Sequence, residues 1–338
     1  MADPQASKPL APMLQVRNLS VHFGALNKPT VAVESLDLDI AQGEVLGLVG
    51  ESGSGKSVSM MAIMGLVDAN GRVSADQLAI GGTDLQAMPL RQRHRFIGEH
   101  VGMIFQDPMA SLDPCYRVGE QLTETLAVQG RMSRAQLRER ALELLRLVEI
   151  PDPVARMDAY PHHLSGGMCQ RIMIAMALSR NPSLLIADEP TTALDVTIQA
   201  QIMAVLRRLQ RERNLTLLLI SHDLALVSSV ADRVVVMYAG QAVESGRPPG
   251  IFRSPQHPYT RALMQALPES SRGRERLLAL PGVVPGVDDR PTGCLLAPRC
   301  PHVQGRCASQ RPLTRSIGEG RHVACHFDID DAAIASDA

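Results

Sequence analysis

Tryptophan is absent from the 338-residue chain and aromatic residues make up only 3% of it. No apolar run approaches the roughly 18 residues a membrane span needs, so an integral membrane protein is excluded. The first residues, MADPQASKPLAPML, carry no apolar segment behind a basic start, and no secretory leader is expected. Neither sign of charge is in excess: 34 Lys and Arg stand against 35 Asp and Glu, a net charge of −1. A domain built around a nucleic-acid backbone usually shows basic excess, so that partner class is disfavoured. The 45% hydrophobic and 20% charged fractions describe an ordinary globular chain, neither collagen-like nor disordered. Its length fits one large domain with an appendage, or two modest ones.

Lysine is also scarce. It occurs only at Lys8, Lys28 and Lys56, and the other 31 of the 34 basic residues are arginine. A chain that seldom uses lysine but places one in a glycine-rich loop needs an ammonium there. The six cysteines are unevenly spread. Cys115 and Cys169 stand apart, whereas Cys294, Cys300, Cys307 and Cys325 crowd the C-terminal part. In a cytosolic protein such a cluster suggests metal before disulfide.

Alternation of apolar and polar positions predicts strands over 14–23 and 32–40, and GEVLGLVG (43–50) reads as a short buried strand. A glycine-rich turn then leads into a helix at SVSMMAIMGLV (57–67). VGMIF (101–105) has strand length, and from Met109 to Arg180 the pattern is helical. There Ser133 and Gln136 form a capping box ahead of the stripe Leu137, Ala141, Leu144, Leu145 and Val148. Strands return at 183–188, 215–221 and 233–238, with a helix between the first two. This alternation predicts an α/β fold with a largely parallel sheet and a helical lobe inserted at about 107–182. Beyond Gly246 breakers accumulate, and a boundary is expected near residue 254.

Gly50-Glu51-Ser52-Gly53-Ser54-Gly55-Lys56-Ser57 matches G-x-x-x-x-G-K-[ST] between a strand and a helix. Small residues let successive backbone N–H groups turn inward around phosphates, and the helix N-terminus adds partial positive charge. Lys56 would reach the β and γ phosphates, and the Ser57 hydroxyl would ligate Mg²⁺. Leu184-Leu185-Ile186-Ala187-Asp188-Glu189 reads as a buried strand ending in two carboxylates. Alone, that is more often a capped turn. Paired with the phosphate loop about 130 residues earlier, it reads as the second half of a phosphate-loop ATPase site. Asp188 would hold Mg²⁺ through water, and Glu189 would polarise the attacking water.

Leu164-Ser165-Gly166-Gly167 follows the helical lobe and precedes the Asp-Glu strand. At this point the chain resembles the ATP-binding cassette (ABC) ATPases. The resemblance implies a P-loop cassette with an antiparallel β subdomain and an inserted helical lobe. It also implies that Ser165, Gly166 and Gly167 contact the γ-phosphate of ATP held by an opposite subunit. By the same resemblance Gln106 corresponds to the glutamine that senses Mg²⁺ and water. Ala193-Leu194-Asp195 corresponds to the loop crossing the dimer seam, His222 to the switch histidine and Phe23 to the aromatic stacked on adenine. Cys169 stands where many relatives carry a larger polar residue.

The segments GESGSGKSVS, FQDPMASLDPCYRVGEQ, YPHHLSGGM, ADEPTTALDVTIQAQI and SHDLALV resemble the oligopeptide/dipeptide/nickel branch of that family. HPYTRALMQALP, LPGVVPG and RPTGCLLAPRCPHVQGRC resemble the C-terminal extension of bacterial peptide importers, those for dipeptides above all. The expected organisation is a cassette over 12–253 and an extension over 254–338. The implied partners are a second homologous ATPase, two membrane-spanning permease subunits and an extracytoplasmic solute-binding protein. The implied place is the cytoplasmic face of the inner membrane, held peripherally. Import of nickel or another small solute stays open, and a soluble ABC ATPase acting on nucleic acid fits poorly. The spacing Cys294-x5-Cys300-x6-Cys307-x17-Cys325 is wider than the tight knuckles zinc usually takes. It suits the separated irons of a cubane, and relatives with this tail are understood to carry a 4Fe–4S cluster. Zinc is the alternative.

Overall fold

The computed structural model describes residues 12–25, 29–128, 130, 132–192, 194–266, 280–286 and 289–329. The chain opens with β1 (Leu14–Phe23) and β2 (Thr30–Ile40), paired antiparallel. The buried residues of β1 change parity, from Leu14 and Val16 to Leu19 and Val21, because Asn18 adopts φ +51° at a register shift. A bulge of this kind keeps one face apolar through the irregularity.

Next come β3 (Val45–Val49) and α1 (Lys56–Met64). The short strands β4 (Gly71–Ser74), β5 (Gln77–Ile80) and β6 (Thr83–Asp84) complete a five-stranded antiparallel sheet with β1 and β2. The polar helix α2 (Leu90–His100) leads into β7 (Val101–Ile104). The helical stretch then holds α3 (Pro108–Ser111), α4 (Val118–Ala127), α5 (Arg134–Leu147), α6 (Pro153–Met157) and α7 (Gly166–Leu178). Ser133 and Gln136 make the capping box at the head of α5, and Ala141, Leu144, Leu145 and Val148 are buried behind it.

The chain returns to the sheet with β8 (Leu184–Asp188), α8 (Val196–Arg213), β9 (Thr216–Ser221), α9 (Leu224–Val230), β10 (Arg233–Tyr238) and β11 (Gln241–Gly246). The C-terminal part carries α10 (Gly250–Arg253), α11 (Pro258–Gln265), α12 (Gly305–Ser309), β12 (Arg315–Ser316) and β13 (His322–Val323).

The larger sheet has eight strands in the order β12-β13-β11-β10-β3-β9-β8-β7. From β10 to β7 all pairs are parallel. In its central strands Val45, Leu185 and Leu217 face one apolar cluster, while Leu46, Leu184 and Leu218 face the other. Burial on both faces explains why these strands read as unbroken apolar runs. Val49 pairs with Ser221, Asp188 with Ile220 and Ile104 with Ala187, so the carboxyl ends of four parallel strands finish along one edge. Loops leaving that edge are where parallel α/β sheets build ligand sites.

Two details differ from the sequence reading. The strand expected over 101–105 ends at Ile104, so Gln106 lies in the following loop. The loosely patterned C-terminal part is tied into the main sheet, because β13 pairs with β11. Two-residue strands carry too little alternation to stand out in sequence.

Candidate functional site

Gly50 to Ser57 form the turn between β3 and α1. Gly55 caps α1 with φ +95°, and a Cβ there would stand 3.0 Å from both Ala32 O and Gly240 Cα. Only glycine fits that close approach in that conformation. Lys56 is buried, and its Nζ donates to Gly50 O at 2.7 Å, Glu51 O at 2.9 Å and Ser54 Oγ at 3.3 Å. Burial lowers its pKa, opposed by the charges of Glu189, Asp188 and Glu51. The ammonium therefore sits within the field of the two carboxylates that end β8.

Asp188 is buried, and its carboxyl pKa is raised by burial and by Glu189, against a hydrogen bond with Ser57 and the charge of Lys56. Its Oδ1 has no hydrogen-bond partner among the described residues. An orphaned carboxylate oxygen beside a serine hydroxyl fits a hard divalent cation that keeps several waters, as Mg²⁺ does. Glu189 follows in the left-handed region at φ +48°, a conformation that costs a non-glycine residue energy and is often found at functional sites. Its Oε2 lies 2.9 Å from Gln106 Nε2, 2.8 Å from Thr192 Oγ1 and 3.3 Å from His222 Nδ1. Three separate loops thus converge on one carboxylate oxygen.

Ser165 is the N-cap of α7, where its side chain accepts from Met168 N–H at 3.4 Å. A Cβ on Gly167 would stand 2.7 Å from Ile198 Cγ2, and one on Gly166 would stand 3.4 Å from Leu194 Cδ2. Asp195 caps α8, accepting from Ile198 N–H at 2.9 Å. The LSGG turn and the start of α8 are therefore packed on each other. The side chains of Ser165 and Asp195 bond to their own helices, not to Lys56, Asp188 or Glu189. Ala193 lies outside the described residues. Phe23 ends β1 with its ring against Gly71, where a Cβ would be 2.9 Å from Phe23 Cε1, and is partly buried on the apolar cluster behind β1. The structure so divides the sequence-derived residues into the phosphate-loop group, the LSGG and Asp195 group, and Phe23 by itself.

Three residues with contacts to this site were not singled out from sequence. Thr192 reaches Glu189, Tyr259 Oη accepts from Glu51 N–H at 2.8 Å, and Arg299 Nη1 lies 3.1 Å from Glu51 Oε2. Their only sequence signal is membership of the segments ADEPTTALD, HPYTRALM and LLAPRCP.

Cys294, Cys300, Cys307 and Cys325 line one cavity of about 250 Å³, together with His257, His302 and His326. Burial and the neighbouring thiols push the Cys300 thiol up to about 11, and Cys294 and Cys325 are raised for the same reasons. Among the described residues no group of three or more His, Cys, Asp or Glu side chains is placed to hold a metal ion. The four sulfurs share a cavity without converging as ligands of one ion.

Residues 33–192 match the family described as "ABC transporter", and residues 243–307 match "Oligopeptide/dipeptide transporter, C-terminal region". The chain is 55% identical to the dipeptide transport ATP-binding protein DppD of Escherichia coli, over 95% of this chain and 98% of that protein. It is 56% identical to DppD of Haemophilus influenzae, over 94% and 96% of the two chains. With the oligopeptide transport ATP-binding protein AppD of Bacillus subtilis it shares 44% identity, over 96% and 99%. Among solved structures it is similar to the dimeric post-hydrolysis ATP-binding cassette MJ0796 bound to ADP and Pi, with TM-score 0.60 and 28% identity over 70% of this chain and 98% of that one. CbiO1 of Clostridium perfringens gives TM-score 0.60 and 28% identity over 72% and 91%. The phosphate loop, the carboxylate pair and these likenesses agree, and the chain belongs to the ABC transporter ATPases, in the group that carries the oligopeptide/dipeptide transporter C-terminal region.

Proposed function

We propose that this chain is the ATP-hydrolysing subunit of a bacterial importer of dipeptides or oligopeptides. The observation that carries the reading is the convergence of Gln106, Thr192 and His222 on Glu189 Oε2, beside a phosphate loop and ahead of a peptide-transporter C-terminal region. Gly50, Ser52, Gly53, Ser54 and Gly55 shape the loop that cradles the phosphates, and Lys56 contacts the β and γ phosphates. Ser57, Asp188 and Gln106 would hold Mg²⁺, which supplies charge stabilisation for phosphoryl transfer. Glu189 orients the attacking water and His222 meets the γ-phosphate. Phe23 stacks on the base.

Ser165, Gly166, Gly167 and Asp195 serve the other half of a head-to-tail dimer. They make no side-chain bond to this chain's own Lys56 or Glu189, as residues that complete a partner's site need not. That the similar cassette MJ0796 is dimeric with ADP and Pi bound supports a dimer. The partners are a second homologous ATPase, forming a heterodimer, two permease subunits and an extracytoplasmic solute-binding protein. No described helix is long and apolar enough to cross a membrane. As the ATPase partner of the permease subunits, the subunit is assigned to the cytoplasmic face of the inner membrane, held peripherally. We assign 12–253 to the cassette, with the helical lobe at about 107–182, and 254–338 to the extension.

The four-cysteine cavity takes a 4Fe–4S cluster with a structural role. What supports this reading is that the four cysteines line one cavity and that their wide spacing suits separated irons better than a single zinc ion. The described residues hold no preformed metal-binding group, so the cluster would have to draw the four thiols together. A nickel importer is the second reading, since the cassette itself does not select the solute. Copurification with the permease, followed by ATPase assays with solute-binding protein loaded with dipeptide or with nickel, tests both. Stimulation by the dipeptide-loaded protein is expected, and stimulation by nickel alone would replace the peptide reading.

A further inference from the structure

Arg299 directly precedes Cys300, and its side chain is only 6% exposed. Its Nη1 and Nη2 face Glu51 Oε2 and Oε1 at 3.1 and 3.5 Å, and Nη1 also lies 3.4 Å from Tyr238 Oη. Backbone carbonyls fix the rest of the group, with Nε donating to Pro281 O at 2.9 Å and Nη2 to Leu280 O at 3.3 Å. The backbone of Glu51 is held as well, because its N–H donates to Tyr259 Oη at 2.8 Å. Tyr259 is fully buried and packs against Tyr238 with ring centroids 4.6 Å apart. Both the main chain and the carboxylate of one phosphate-loop residue are thus gripped from the C-terminal region.

A second hold lies three residues along the loop. Gly240 N–H donates to Ser54 O at 2.8 Å, and the carbonyl of the preceding Ala239 accepts from Arg290 Nη2 at 2.7 Å. Lys56 in turn donates to Gly50 O and Glu51 O. Wherever Glu51 is held, the ammonium that meets phosphate is held with it.

Charge argues the same way. Glu51 places a carboxylate inside a loop built for anions, and its field reaches Lys56. A half-buried carboxylate left unpaired there would oppose phosphate binding, and a bidentate guanidinium cancels it. We propose that Arg299 and Tyr259 are positioning residues of the nucleotide site: they fix the phosphate loop through Glu51 and neutralise the charge Glu51 carries. The proposal rests on reading 50–57 as the phosphate loop. A grip of this kind acts on ground state and transition state alike, so it governs nucleotide affinity more than turnover.

The test uses the full-length chain and equilibrium titration with a fluorescent ATP analogue in the presence of Mg²⁺. Arg299→Met should weaken binding about tenfold, the scale of a carboxylate stripped of its partner. In a Glu51→Gln background the same substitution should cost less than about threefold, because the unpaired charge is gone. Tyr259→Phe, which removes one oxygen and leaves the fold's packing, should weaken binding about threefold to tenfold. In the assembled transporter Arg299→Met should raise KM for ATP with kcat falling less than about threefold. Wild-type affinity in Tyr259→Phe, or an equal loss from Arg299→Met with and without Glu51, would overturn the proposal. Lys56→Ala separates the two readings. If it keeps full affinity the loop assignment itself fails, and if it alone loses affinity only the positioning role fails.

Discussion

Gln106 Nε2 donates to Glu189 Oε2 at 2.9 Å, joining the loop after β7 to the loop after β8 across 83 residues of sequence. The same oxygen receives Thr192 Oγ1 and stands 3.3 Å from His222. A carboxylate held by donors from several loops can aim a water molecule without first reorganising. Its side chain is 17% exposed, so it sits at the mouth of the site and not in the core.

Glu189→Gln should therefore keep ATP affinity and slow turnover by about two orders of magnitude or more, as expected when a water-positioning base is lost. Single-turnover hydrolysis alongside an ATP-binding titration checks both halves. Near-normal hydrolysis would place the base elsewhere.

The LSGG turn bonds to its own helix and packs on Leu194 and Ile198. The isolated chain should hydrolyse ATP poorly, with specific activity rising with its concentration or on adding the partner ATPase. Ser165→Arg should then block the nucleotide held by the opposite subunit and spare the chain's own. Mixing the variant with a wild-type partner and mapping which nucleotide is trapped decides the matter. Full activity from a demonstrated monomer would refute it.

For the cysteine cavity, anaerobically purified protein should be brown and carry about four irons and four acid-labile sulfides per chain. Cys300→Ser should lower both contents, since this half-buried thiol lines the same cavity as the other three. Metal and sulfide analysis of the two proteins is the measurement. Stoichiometric zinc without sulfide would replace the cluster.

His257 heads α11, where its Nδ1 accepts the Tyr259 N–H at 3.2 Å. Burial pushes its pKa down to about 3 from 6.5. Because the folded-state value is depressed, the unfolded chain binds a proton first as pH falls below 6.5, and stability declines from there towards pH 3. At about pH 5 the loss amounts to about 2 kcal/mol. His257→Asn keeps a capping oxygen and does not titrate, so its urea midpoint should move less than that of the wild type between neutral pH and about pH 5. Equal movement in both proteins would show that His257 is not the titrating group.

Local chemistry was legible in the chain itself. The phosphate loop could be read because only glycine and small residues allow that backbone, and α5 because Ser133, Gln136 and the stripe behind them lie within one continuous segment. The parallel strands could be read because burial on both faces leaves unbroken apolar runs. What the chain could not disclose are contacts whose partners lie far apart in sequence. Arg299 meets Glu51 from 248 residues away, and Tyr259 meets it from 208. No periodicity or spacing rule spans such a distance, and an arginine beside a cysteine looks like any surface arginine until the fold buries it. The strands β12 and β13 are likewise too short for a pattern, and they take shape only because β11 offers an unpaired edge. The sequence by itself determined which residues could do phosphate chemistry. The tertiary structure decided that the C-terminal region would grip the loop that does it, because folding brings Tyr259 Oη against the Glu51 backbone N–H and Arg299 against the half-buried Glu51 carboxylate, which finds its charge partner in that guanidinium.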